Sequence, residues 1–198
     1  LPALAAHHAV ESQETFAAFR LYVQAGDQAR TARSDLEALD SYAKALALEP
    51  LPGHPQPEWE AERAVLLEKH ALTQTDLRQF EDAEGELRRA MAVAAGPEDR
   101  ARLEGHIGAL YWAQGKIASA IRHYRAALQH AGKPASPLTA RLELDLAEAL
   151  TEGREETEEA GRRAKHVLEA AKARRWPDLQ ARAARILGLL AWIHGRPD

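Results

Sequence analysis

The stretch 101–134, ARLEGHIGALYWAQGKIASAIRHYRAALQHAGKP, constrains the fold more than any other part of the chain. Leu103, Ile107, Leu110 and Tyr111 fall on one stripe at helical spacing, and Gly115 ends the run. Ile117, Ala120, Ile121, Tyr124, Ala127 and Leu128 then share one face of a second run. Gly108 and Ala120 are small where two such helices must approach closest. The pattern predicts a tight helix–turn–helix pair.

It recurs along the chain. In 11–50 a first helix carries Phe16, Phe19, Tyr22 and Val23 to Gly26, with Tyr22 and Gly26 in the places of Tyr111 and Gly115. Ala38, Tyr42, Ala45 and Leu46 match Ala120, Tyr124, Ala127 and Leu128. Seven extra residues separate Gly26 from Ala38, about two helical turns, so the stripe stays in phase. In 58–97, Phe80, Ala83, Leu87, Ala90 and Met91 form the second stripe, Arg78 takes the place of the turn glycine, and His70 that of Ile107. His70 is expected to be a hydrogen-bonded core histidine. The third unit is 98–134. The fourth, 138–173, keeps Leu146, Ala147 and Leu150, then Ala160, Ala164, Val167 and Leu168. A lone first helix, 178–195, carries Leu187, Gly188, Ala191 and Gly195. Residues 1–10 show no clear period, and PLPGHPQP (50–57) reads as a proline-punctuated surface loop. Taking Phe19, Ala71, Gly108, Ala147 and Gly188 as the small-residue sites gives spacings of 52, 37, 39 and 41.

Gly108, Tyr111, Gly115, Ala120, Tyr124, Ala127 and Pro134 resemble the signature of the tetratricopeptide repeat. Simple arrays of that motif repeat at about 34 residues; the longer units here are similar to those in bacterial regulatory and scaffold proteins. The resemblance implies an all-α fold, a right-handed superhelical array of antiparallel helix pairs (a tetratricopeptide-like α-solenoid), with 1–198 as a single domain. It also implies that the first helices line a concave groove. The groove positions would be Phe16, Arg20 and Val23; Glu68, Leu72 and Thr75; Arg102, Ala109 and Trp112; Arg141, Leu144, Glu148 and Thr151; and Arg182, Arg185, Leu189 and Trp192.

Composition narrows the function classes. The chain of 198 residues is rich in Ala, Leu, Arg and Glu, good helix formers. A net charge of −4 gives no pull toward nucleic acid or anionic membranes. There is no Cys, which removes disulfides and thiolate chemistry, and no run of about 18 apolar residues that would span a membrane. The chain opens on Leu1 and stops within a repeat, as a fragment of a longer protein would.

No Ser/His/Asp order, phosphate loop or metal-ligand spacing emerges, so neither catalysis nor a cofactor or metal is expected. The His7/Glu11 and His123/His130 spacings lack a third ligand. The expected function is recognition of a partner protein or peptide in the groove, as a cytoplasmic scaffold or regulatory segment, with Phe16, Arg20, Glu68, Leu72, Arg102, Trp112, Arg141 and Glu148 as the contact residues. Two other readings remain open: a ligand-sensing region of a bacterial signalling or transcription regulator, and a self-assembly module. The last helix, lacking a partner, is expected to form a homodimer through its apolar face or to lose order there.

Overall fold

The computed structural model describes residues 2–11, 14–49, 56–132, 136–154 and 156–195. Among them it contains ten α-helices and no strand. The chain divides into two compact units, Leu1–Ala94 and Ala95–Asp198. The first holds α1 (Pro2–Glu11), α2 (Thr15–Thr31), α3 (Asp35–Ala47), α4 (Gln56–Asp76) and α5 (Phe80–Ala92). The second holds α6 (Pro97–Ala113), α7 (Ile117–His130), α8 (Pro137–Gly153), α9 (Thr157–Arg174) and α10 (Pro177–Ile193).

In each unit the helices pack as consecutive pairs, α2 with α3 and α4 with α5 in the first, α6 with α7 and α8 with α9 in the second. α1 lies on α2, and α10 packs on both α8 and α9. The proline-rich stretch lies largely outside the described residues, as does Pro134; α4 begins at Gln56, inside that stretch.

One register runs through all the pairs. A small residue on the first helix is followed seven positions later by a residue in the left-handed region: Gly26 and Arg33, Ala71 and Arg78, Gly108 and Gly115, Ala147 and Arg154, Gly188 and Gly195. At three of these ends the backbone closes a Schellman motif. The amides of Ser34, Gln79 and Lys116 reach back to the carbonyls of Ala29, Gln74 and Tyr111 at 2.8–2.9 Å. Orphan carbonyls at the end of the first helix are thereby satisfied, and the chain reverses at once into the second.

This corrects the sequence reading of the first pair. Gly26 is not the turn residue; α2 continues to Thr31, and the turn is made by Arg33 at φ 62°. Gly26 is the small site, buried under the Tyr42 ring, as Gly108 lies under Tyr124. Ala120 is buried, but the ring of Tyr124 is what meets Gly108. Phe19, two turns before Gly26, is a core residue against Trp59 instead. With Gly26 as the site, the facing residue sixteen positions on is Tyr42, and the pairs Ala71/Leu87 and Gly108/Tyr124 repeat that interval. At both glycine sites a tyrosine ring fills the space a side chain would need.

Three pairs also carry a histidine–glutamate contact between their two helices. Glu104 of α6 meets Nδ1 of His123 on α7 at 2.8 Å, and Glu143 of α8 meets Nδ1 of His166 on α9 at 2.9 Å. His70 of α4 stands 3.8 Å from Glu86 of α5. That distance is too long for a hydrogen bond, and the buried His70 Nδ1 has no hydrogen-bond partner among the described residues. The expected hydrogen-bonded core histidine is therefore buried but unsatisfied at this nitrogen.

Candidate binding groove

First helices present their exposed stripe to solvent in each unit, and the two units differ in what that stripe offers. In the first unit it is closed by ion pairs from α2 to α4. Arg20 reaches Glu62, Lys69 bonds both oxygens of Asp27 at 2.7–2.8 Å, and Arg30 pairs with Asp76 at 2.5 Å. Tyr42 adds a 2.7 Å hydrogen bond to Asp27, and burial together with that bond pushes its hydroxyl well above the ordinary range. Arg20 also lies 4.6 Å over the Phe16 ring.

Of the residues expected in the groove, those in this unit are drawn inward or paired. Phe16 is half-buried against Trp59 and Phe19, Glu68 is buried, and Leu72 is half-buried. Arg20 is exposed but holds Glu62.

The second unit leaves an opening. A cavity of about 380 Å³ lies among α6, α8 and α10, walled by Trp112, Ile186, Leu189, Trp192 and Ile193 and edged by Glu148, Thr151, Glu152, Arg154 and Arg185. Trp112 is half-buried and meets the Tyr124 ring edge-on at 6.5 Å. Trp192 is 74% exposed, the most exposed large apolar side chain among the described residues, and Leu189 is 42% exposed. Exposed indoles on a rigid helix are unusual away from interfaces, because aromatic burial is worth more than that of other side chains.

Glu148 forms the floor. Arg182 grips it with Nε at 2.9 Å and Nη2 at 2.6 Å, and gives a second bond of 2.6 Å to Asp145; Arg185 reaches the same carboxylate. Burial works to lower the Arg182 pKa, and the bonds to Glu148 and Asp145 outweigh it, so the guanidinium is held above its ordinary value. Asp145 moves up because burial dominates over the attraction of Arg182. Glu148, expected as a contact residue, is thus consumed in joining α8 to α10.

Arg102 and Arg141 occupy the opposite end of the same faces. Arg102 is half-buried and bonds Asp99 at 2.8 Å. Arg141 is exposed and makes no ion pair among the described residues. Between them His106 is driven down to about 4, first by burial and then by Arg102 and Arg141, with Asp145 opposing. It is neutral at physiological pH. Thr151 and Leu144, expected along the groove, are buried, and Thr151 bonds its own helix at the Ala147 carbonyl. Glu152, Arg154, Ile186 and Ile193 were missed. They lie just beyond the repeat's groove positions, and the cavity reaches them because it opens toward the C-terminal ends of α8 and α10.

Among the described residues no group of three His, Asp or Glu side chains could hold a metal ion, and no helix is long and apolar enough to cross a membrane.

No protein-family model matches the sequence, and no curated protein matches it. Solved structures do. The chain is similar to the Rap conjugation gene regulator of plasmid pLS20, solved with the Phr* peptide, at 14% identity and a TM-score of 0.69; the match covers 95% of this chain and 52% of that regulator. It is similar to the yeast histone chaperone Hif1, described as a scaffold recruiting protein complexes to core histones, at 16% identity and a TM-score of 0.65, over 92% and 97% of the two chains. A putative kinesin light chain from Podospora anserina with nearly identical TPR-like repeats matches at 14% identity and a TM-score of 0.60, over 88% and 95%. At these identities the likeness establishes the fold.

Proposed function

Taking the all-α, tetratricopeptide-like solenoid of helix pairs as the premise, we propose that the chain is a protein-interaction module that binds an extended segment of a partner protein across α6, α8 and α10. The observation that carries this reading is the tryptophan-walled cavity, lined by the half-buried Trp112 of α6 and the exposed Trp192 of α10, with α10 joined to α8 by Glu148 and two arginines. A preformed apolar pocket on a rigid surface lets one large side chain of the partner supply most of the affinity, since the receptor loses little freedom on binding.

The comparisons support a binding role in a limited way: one similar structure holds a peptide and another is described as a scaffold. The role assigned here involves no chemistry on the partner. Peptide-display selection against the chain, followed by calorimetric titration of each hit, tests the reading. Trp192→Ala should weaken binding by at least about 2 kcal/mol, roughly thirtyfold, while the melting temperature is unchanged. Hits that bind Trp112→Ala and Trp192→Ala as tightly as the parent would place the interface elsewhere.

A further inference from the structure

The groove of the second unit is electrically lopsided, and the asymmetry specifies a motif. At the cavity end the charges cancel: Arg182 and Arg185 are met by Glu148 and Asp145, and the edge carries one further acid, Glu152, and one further base, Arg154. An anchor entering there meets apolar walls and no net field. At the N-terminal ends of α6 and α8 the two groove arginines are unequally engaged, Arg102 being bonded to Asp99. Arg141 is exposed with no ion pair among the described residues and acts on the neutral His106 of α6 from the neighbouring helix, as Arg102 does from the helix of His106 itself, with Asp145 opposing both. A neutral His106 cannot repel an anion, nor does it screen the two guanidiniums.

Distance then sets the spacing. Arg141 and Thr151, which edges the cavity, lie on one helix ten residues apart, about 15 Å along the axis. An extended peptide rises about 3.3 Å per residue, so four or five residues bridge the two places. Resting on the groove reading above, we propose that this unit recognises a two-part peptide motif: a large apolar side chain in the tryptophan cavity and an Asp or Glu four or five residues away, against Arg141.

The probe is a set of fluorescein-labelled twelve-residue peptides in a Gly/Ser frame, each with one Trp and one Glu separated by one to eight positions in either order, titrated by fluorescence polarisation at low salt. Affinity should peak at separations of four or five in one of the two orders, by about tenfold over the others, and Gln in place of Glu should remove the peak. Arg141→Glu should flatten the profile while leaving the dependence on the peptide Trp; this side chain is exposed, so the fold is not at stake. A flat profile on the parent protein, with binding still lost in Trp192→Ala, overturns the spacing and leaves the groove reading standing. Peptide binding that ignores both Trp192→Ala and Arg141→Glu overturns both, and so does the absence of binding by every peptide.

Discussion

A β-carbon on Gly108 would stand 2.7 Å from two atoms of the Tyr124 ring, closer than carbon atoms approach without displacing one another. The ring therefore fills the space a side chain would need, and the first and second helices of that pair touch through glycine. Gly26 meets Tyr42 in the same way. Gly26→Ala and Gly108→Ala should each destabilise the protein by about 1–3 kcal/mol, because the aromatic ring cannot give way inside a packed core. Gly188→Ala, at the same register in α10 but with nothing within 4 Å, should stabilise by up to about 1 kcal/mol through helix propensity. Thermal melts of the three variants give opposite signs if the register is right.

The turn residues make a second contrast. Arg33 and Arg78 hold φ of 62° and 60° without being glycine, a conformation that costs an ordinary residue about 1–2 kcal/mol. Arg78→Gly is expected to raise stability by about 1 kcal/mol and Gly115→Ala to lower it by a similar amount. Denaturant midpoints measured at constant slope would decide it, and a destabilised Arg78→Gly would show that the arginine side chain matters more than its backbone.

Glu148 holds α8 to α10 through two arginines of unequal weight. Arg182 is mostly buried and bonds the carboxylate twice, whereas the Arg185 side chain is 62% exposed. Glu148→Gln should cost about 2 kcal/mol, since it leaves the Arg182 fork half-satisfied. Arg185→Ala should cost under about 1 kcal/mol. Hydrogen exchange along α10 reads this locally, and equal protection in the two variants would contradict the ranking.

His106 supplies a pH dependence. Its folded pKa, about 4, lies below the ordinary histidine value of 6.5, so the unfolded chain takes up a proton first as pH falls. Stability from this group is complete above about pH 6.5 and is lost as pH drops toward 4, a total of order 3 kcal/mol. Asp145, raised by burial, binds a proton more readily when folded and softens the loss at the acid end. A proton NMR titration of the His106 ring should show no midpoint above pH 5. A midpoint near 6.5 would mean that the ring is solvated.

How much of this was written in the residues depends on range. The helix pairs, their apolar stripes and the small sites at Ala71, Gly108 and Ala147 follow from spacing within a few turns, and the structure buries all three; Gly188 keeps the register but is exposed, with nothing packed against it. The first pair was misregistered at Phe19 because a shift of seven residues is two turns and leaves the stripe unchanged; only the tyrosine facing Gly26 distinguishes the two registers. The charge pattern was opaque for another reason. Glu148 meets Arg182 across 34 positions and Lys69 meets Asp27 across 42, and nothing local marks which charges will be spent on each other. Trp112 and Trp192 were placed on the groove stripe by helical phase, whereas their exposure depended on which neighbours cover them.

Between the small site and the buried alanine that opens the second helix lie twelve positions in three pairs, Gly26 to Ala38, Ala71 to Ala83 and Gly108 to Ala120, and thirteen in the fourth, Ala147 to Ala160. From that alanine to the next small site the interval runs from 25 to 33. The hairpin varies by a single residue, and nearly all slack in the array is exported to the links that join one hairpin to the next. Inside a hairpin an added residue would rotate the second helix by about 100° unless the turn absorbs it, and the fourth turn does so, with Arg154 and Glu156 both left-handed and Ala160, Ala164 and Val167 still buried.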